Sequence, residues 1–155
     1  MVSHPEAERG STLLLFPAAL LIMVALAAMT VDSAIGFMAQ RELVNATAAA
    51  ANDAATNALS DSSFYRYDRI ELDSSAVEAS AVDRVRSLID ETRHHGLVVE
   101  AEALQAAPGC AWTVRVTASS RVDELFGKAM PGSPGVVAVR ASSTASPRQS
   151  STESC

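Results

Sequence analysis

The sequence predicts an α+β protein: a long N-terminal helix, transmembrane and then Ala-rich, followed by a small antiparallel sheet with one packed helix. Three observations predict it. Residues 13–31 carry no charge, residues 33–59 contain no proline and are dominated by helix formers, and the chain beyond residue 97 alternates apolar and polar residues in three short runs. A length of 155 residues suits one modest domain, and 29 Ala make the chain hydrophobic without many large side chains.

The run Leu13–Val31 reads LLLFPAALLIMVALAAMTV. As a helix it covers about 28–29 Å, against a hydrocarbon core of about 30 Å. A helix satisfies its own backbone where water is absent. Pro17 falls one turn into the run, where a missing N–H is best tolerated, and Asp32 ends it. A buried core helix is disfavoured, because so small a chain cannot enclose it all round. A cleaved signal peptide is the serious rival, since Ala25-Leu26-Ala27 fits a small-x-small cleavage pattern. Against cleavage, the leader carries Glu6 and Glu8 against Arg9, and apolar residues resume at Ala34, Ile35, Phe37 and Met38. A retained anchor is the favoured reading. Its orientation is undecided by charge, with Arg9 before the span and Arg41 after it.

Residues 32–59 are expected to extend the helix as an alanine-rich stalk. Ile35, Met38, Leu43 and Leu59 recur with Ala46, Ala50, Ala54 and Ala58 between them, a thin stripe of near-helical period. The stripe reads either as a stiff support beneath the head or as a packing face for partner helices. Ser60-Asp61-Ser62-Ser63 ends the helix.

Residues 60–142 form the expected head. A short strand is predicted around Tyr67–Asp73, then a capping box from Ser75 to Glu78. The spacing of Val82, Val85, Leu88 and Ile89 predicts a helix over 76–95, with Arg93, His94 and His95 in its last turn and Gly96 as its left-handed stop. Strands are predicted over Leu97–Leu104, Trp112–Ser119 and Val136–Ser142, with turns at Pro108-Gly109 and Pro131–Pro134 and an apolar patch at Leu125-Phe126 between the last two strands. Their half-polar alternation implies an antiparallel sheet with one wet face and a dry face over the Val82/Val85/Ile89 helix. Residues 143–155 are small and polar and read as a disordered tail, and residues 1–12 as a leader.

Chemistry is sparse. A net charge of −6 with a single Lys argues against nucleic-acid binding. Two Cys are too few for a zinc site, although Cys110 and Cys155 can pair if the head lies outside the cell. His94 and His95 are adjacent and point about 100° apart on a helix, so they read as a solvated helix end and not as a chelating pair. Glu100 and Glu102 share a strand face that alternation makes solvated. No glycine-rich phosphate loop is present. The expectation is a non-enzymatic protein with no cofactor, metal or small-molecule ligand.

Glu8-Arg9-Gly10-Ser11, an apolar span with Pro17, then Val31-Asp32, then Gln40-Arg41-Glu42-Leu43-Val44-Asn45-Ala46, and the alanine tract 48–58 with Asn52-Asp53 follow one another in order. This third of the chain resembles the amino-terminal segment of TadE/TadG-like proteins, membrane-anchored components of the tight-adherence (Flp) pilus assembly system. The resemblance implies an inner-membrane, single-pass protein with a cytoplasmic amino-terminus and an external head. It implies anchoring and helix association through Pro17, Asp32, Arg41, Leu43, Asn45 and Asp53, with other pilus-assembly subunits as partners beside the lipid bilayer. Gly10 is a possible processing point. Pilin-type members carry Glu at the fifth position after the cleaved Gly, whereas this chain has Leu15 there. That favours a permanently anchored accessory protein over a fibre subunit. Asp32 is expected either to cap the span or to pair with a basic group of a neighbouring subunit. The reading of a different class is an extracytoplasmic binding module released by cleavage near Ala27.

Overall fold

The computed structural model describes residues 9–57, 72–105, 111–129 and 132–147, with side chains described from residue 15 on. Helix α1 (Arg9–Asn57) is followed by helix α2 (Ser74–Leu88) and strands β1 (His95–Gln105), β2 (Trp112–Asp123) and β3 (Val136–Ala145), with a short 3-10 turn (Gly127–Ala129) before β3. The sheet is antiparallel in the order β1-β2-β3. The fold is the α+β arrangement that the sequence predicts.

Helix α1 is 49 residues long, about 73 Å at a rise of 1.5 Å. It starts at Arg9, so Pro17 lies two turns inside it rather than one. Its two halves differ. Residues 15–31 stand clear of the head, whereas from Asp32 on one face is buried. Ala39, Leu43, Ala46, Ala50, Ala51, Ala54 and Ala55 form a core with Val77, Ala81 and Val85 of α2, Val114, Val116, Ala118 and Val122 of β2, and Val139 and Ala141 of β3. The expected stalk is therefore the central helix of the head itself. Alanine explains how: without side-chain bulk, the backbone of α1 comes close to both a sheet and a second helix, and valines fill the remaining depth.

Strand β3 runs alongside α1 in the same direction. Gln40 meets Arg140 and Thr47 meets Ser143, so the start of β3 and the end of β2 lie at the end of the head nearest the apolar run. Helix α2 runs the opposite way, with Arg84 at the level of Asp53 and the segment beyond it at the level of Glu42. In β2, Val114, Val116, Ala118, Ser120 and Val122 point inward between exposed Arg115 and Arg121, which is the predicted period of two.

Three boundaries depart from expectation. Asp73, not a Ser75/Glu78 box, caps α2: its carboxylate accepts from the backbone N–H groups of Ser75 at 2.8 Å and Ala76 at 3.4 Å. The same helix stops at Leu88, seven residues before the predicted end at His95. Asp90 is the reason: its Oδ1 accepts from the Thr92 backbone at 3.0 Å and the Thr92 hydroxyl at 2.7 Å, and its carbonyl accepts from Arg93 and His94 N–H. That local turn outcompetes another helical turn. Gly96 does take a positive φ of 62°, but at the irregular start of β1. Finally, β3 continues through Ser143, Thr144 and Ala145, which the sequence assigned to a disordered tail. Leu72 is a buried bridge residue and Asp73 the cap, while the rest of the expected strand at 67–73, the Ser60–Ser63 stop, the Pro108-Gly109 turn, Cys110, Cys155 and most of the leader lie outside the described residues.

Candidate functional site

One helix near the N-terminus is long and apolar enough to cross a membrane, and none of its apolar window is buried against the head. Leu15, Phe16, Leu20, Leu21, Ile22, Met23, Val24, Leu26 and Met29 are all more than half exposed. The two hydroxyls near its end are satisfied within the helix, Thr30 donating to the Leu26 carbonyl and Ser33 to the Met29 carbonyl, each at 2.8 Å. This side therefore offers apolar carbon with its polar atoms already bonded, as a lipid environment requires.

Asp32 marks the junction with the head. It is buried, and Oδ1 accepts the backbone N–H of Leu125 at 2.8 Å and of Phe126 at 3.0 Å, with Oδ2 3.2 Å from the same Phe126 nitrogen. The sequence expectation is a cap of the span or a partner for a neighbouring subunit's base; the contact seen is with the β2–β3 loop of its own chain.

The other residues singled out in the sequence divide by face. Leu43 is fully buried in the core, and Asp53 bonds Arg84 at 2.8 Å, tying α1 to α2. Arg41 and Asn45 are exposed on the opposite side of α1, beside exposed Phe37, Met38 and Val44. Pro17 is exposed within the apolar half, and Gly10 lies in the first turn of α1. Gln40 and Glu42 turn inward. The Gln40 side chain donates to the Arg140 carbonyl at 2.7 Å and accepts from the Arg140 N–H at 3.3 Å.

Sequence reasoning missed one polar cluster. His94, expected at a solvated helix end, is 2% exposed. Its Nδ1 lies 2.8 Å from Ser120 Oγ and its Nε2 3.5 Å from Glu42 Oε2. The early stop of α2 at Asp90 swings it under the sheet. The available signal was parity: Ser120 falls on the inward side of β2 after Val114, Val116 and Ala118, where a hydroxyl needs a buried partner. The order Glu42–His94–Ser120 has the residue types of a hydrolytic triad, but the geometry is that of a structural link. Ser120 is 4% exposed, so a substrate carbonyl has no approach to its oxygen. The 3.5 Å separation from Glu42 is also longer than a good hydrogen bond.

The exposed sheet face carries Glu100, Glu102, Arg115, Thr117, Arg140 and Ser142 around an open hollow of about 410 Å³. Glu102 faces Arg115 across the strand pair. At the loop end of the sheet, Lys128 Nζ bonds Asp123 at 2.8 Å and holds its carboxyl below the usual range, with His95 at 3.7 Å adding to the effect. Among the described residues no group of three or more His, Cys, Asp or Glu is placed to hold a metal ion. Comparison with protein-family models, with curated proteins and with solved structures found no match.

Proposed function

We propose that the chain is a non-enzymatic, single-pass membrane protein serving as a structural or assembly component of a Tad-type (Flp) pilus or related secretion apparatus. The observation that carries the anchoring is the division of α1. Its first half exposes a continuous apolar surface, and its second half is the core of the head, so anchor and head share one continuous helix without a linker. The resemblance of residues 8–59 to TadE/TadG-like proteins supplies the system, the inner membrane and the external side of the head. The outward face of α1 around Phe37, Met38, Arg41 and Asn45 remains for partner subunits, whereas Asp32, Leu43 and Asp53 serve the fold.

Intact mass of the protein in membrane and aqueous fractions tests this. Full-length protein released only by detergent supports the anchor, and loss of residues 1–10 supports prepilin-type processing. A soluble form starting at Ala28 favours the released binding module, because the packed part of α1 begins only at Asp32. Co-purification with a secretion ATPase and inner-membrane platform proteins would support the assembly role, and their absence from the purified complex would count against it.

A further inference from the structure

We propose that the β2–β3 loop is a second lipid contact, with Leu125 and Phe126 seated in the outer interface of the bilayer that α1 crosses. This rests on the membrane-spanning reading above. Asp32, the first charged residue after the apolar run, holds the loop by two backbone amides, so the loop sits where the run ends.

The loop's surface suits that depth. Leu125 is 64% and Phe126 41% exposed, two adjacent large apolar side chains left open to the surroundings. Their N–H groups are bonded to Asp32, so lipid contact strands neither donor. Asp123, Glu124 and Lys128 flank the pair, and His95 is near Asp123, so the surroundings carry no positive excess. Seating is therefore driven by apolar burial and is insensitive to salt, unlike binding of basic segments to anionic lipid. Leu and Phe are residues that apolar faces lying in this interface commonly carry. A second contact beside α1 restrains the tilt of the head relative to the membrane.

The test uses the full chain in phosphatidylcholine vesicles, with Trp112→Phe removing the native tryptophan. One reporter is Phe126→Trp, a second is Leu125→Trp, and Ile22→Trp marks the span. Lipids brominated near the glycerol end should quench the two loop reporters by roughly half, as for side chains about 5–10 Å into the boundary. Deeper bromines should quench Ile22→Trp. Solvent-like, unquenched emission from both loop reporters with Ile22→Trp quenched overturns the loop contact and leaves the anchor standing. Failure of all three overturns the anchor itself. Blue-shifted but unquenched loop emission that varies with the protein-to-lipid ratio assigns the patch to a second copy of the chain and also overturns the lipid contact.

Discussion

The side-chain amide of Gln40 pairs with the backbone of Arg140 as a neighbouring strand would, donating to its carbonyl at 2.7 Å and accepting from its N–H at 3.3 Å. The contact joins residues 100 positions apart and closes part of the β3 edge against α1. Replacing Gln40 by Ala should cost about 0.5–1.5 kcal/mol in urea unfolding. Gln40→Glu keeps an acceptor for the N–H but brings no donor for the carbonyl, so it should be no better than Ala. An unchanged midpoint in both variants would show the pairing to be energetically idle.

Asp32 holds the β2–β3 loop through a charged acceptor. Asp32→Ala leaves the Leu125 and Phe126 amides without that partner and should destabilise the head by about 1.5–3 kcal/mol. Asp32→Asn retains one oxygen and should lose less. The ordering Ala worse than Asn, read from denaturation midpoints, checks the contact, and equal loss from both would contradict it.

The buried His94–Ser120 pair predicts non-additivity. Ser120→Ala leaves the His94 ring nitrogen unpaired in the core and should cost about 1–3 kcal/mol. Adding His94→Leu removes the orphaned group, so the double variant should be more stable than the two single losses summed. Strict additivity would mean that the hydroxyl and the ring do not interact.

The place of the alanine face is tested by size. Leu43→Ala should cost about 2–5 kcal/mol by opening a cavity, and Ala50→Leu about 1–3 kcal/mol by overfilling one. Val44→Ala, one residue from Leu43 but 42% exposed, should stay within about 0.5 kcal/mol. A free-standing stalk would show small effects at all three positions.

Acid sensitivity follows from the caps. The Ser75 hydroxyl, then the Ser75 and Ala76 amides, hold the Asp73 carboxyl below its ordinary range, and Thr92 does the same for Asp90, its hydroxyl contributing most. A carboxyl whose pKa is lower folded than unfolded stabilises the fold above the unfolded value, near 3.9, and that contribution is lost as pH falls through the folded value. Stability should therefore drop below about pH 4. Asp73→Asn should be weaker than the parent at pH 7 and show a shallower acid limb, measured as urea midpoint against pH. A parallel acid limb in the variant would remove Asp73 from the account.

Local pattern made much of the architecture legible. The uncharged run, the alanine period of α1 and the alternation of Val114, Val116 and Ala118 each declare an element and the direction its side chains face. The Asp32–Leu125 contact was not legible, because it joins two segments 93 residues apart that share no sequence signal. Nor was His94 under β2, which depends on α2 yielding to the Asp90 turn, a contest of local hydrogen bonds that periodicity does not decide.

By itself the sequence determined helix α1 with its apolar run, helix α2 and the three strands in their order, since these follow from side-chain period and charge along the chain. Tertiary structure alone decided that the alanine face of α1 is the core of its own head and that Asp32, Leu43 and Asp53 bind inward. The period of a helix fixes which residues share a face. What covers that face is settled by packing between segments far apart in the chain.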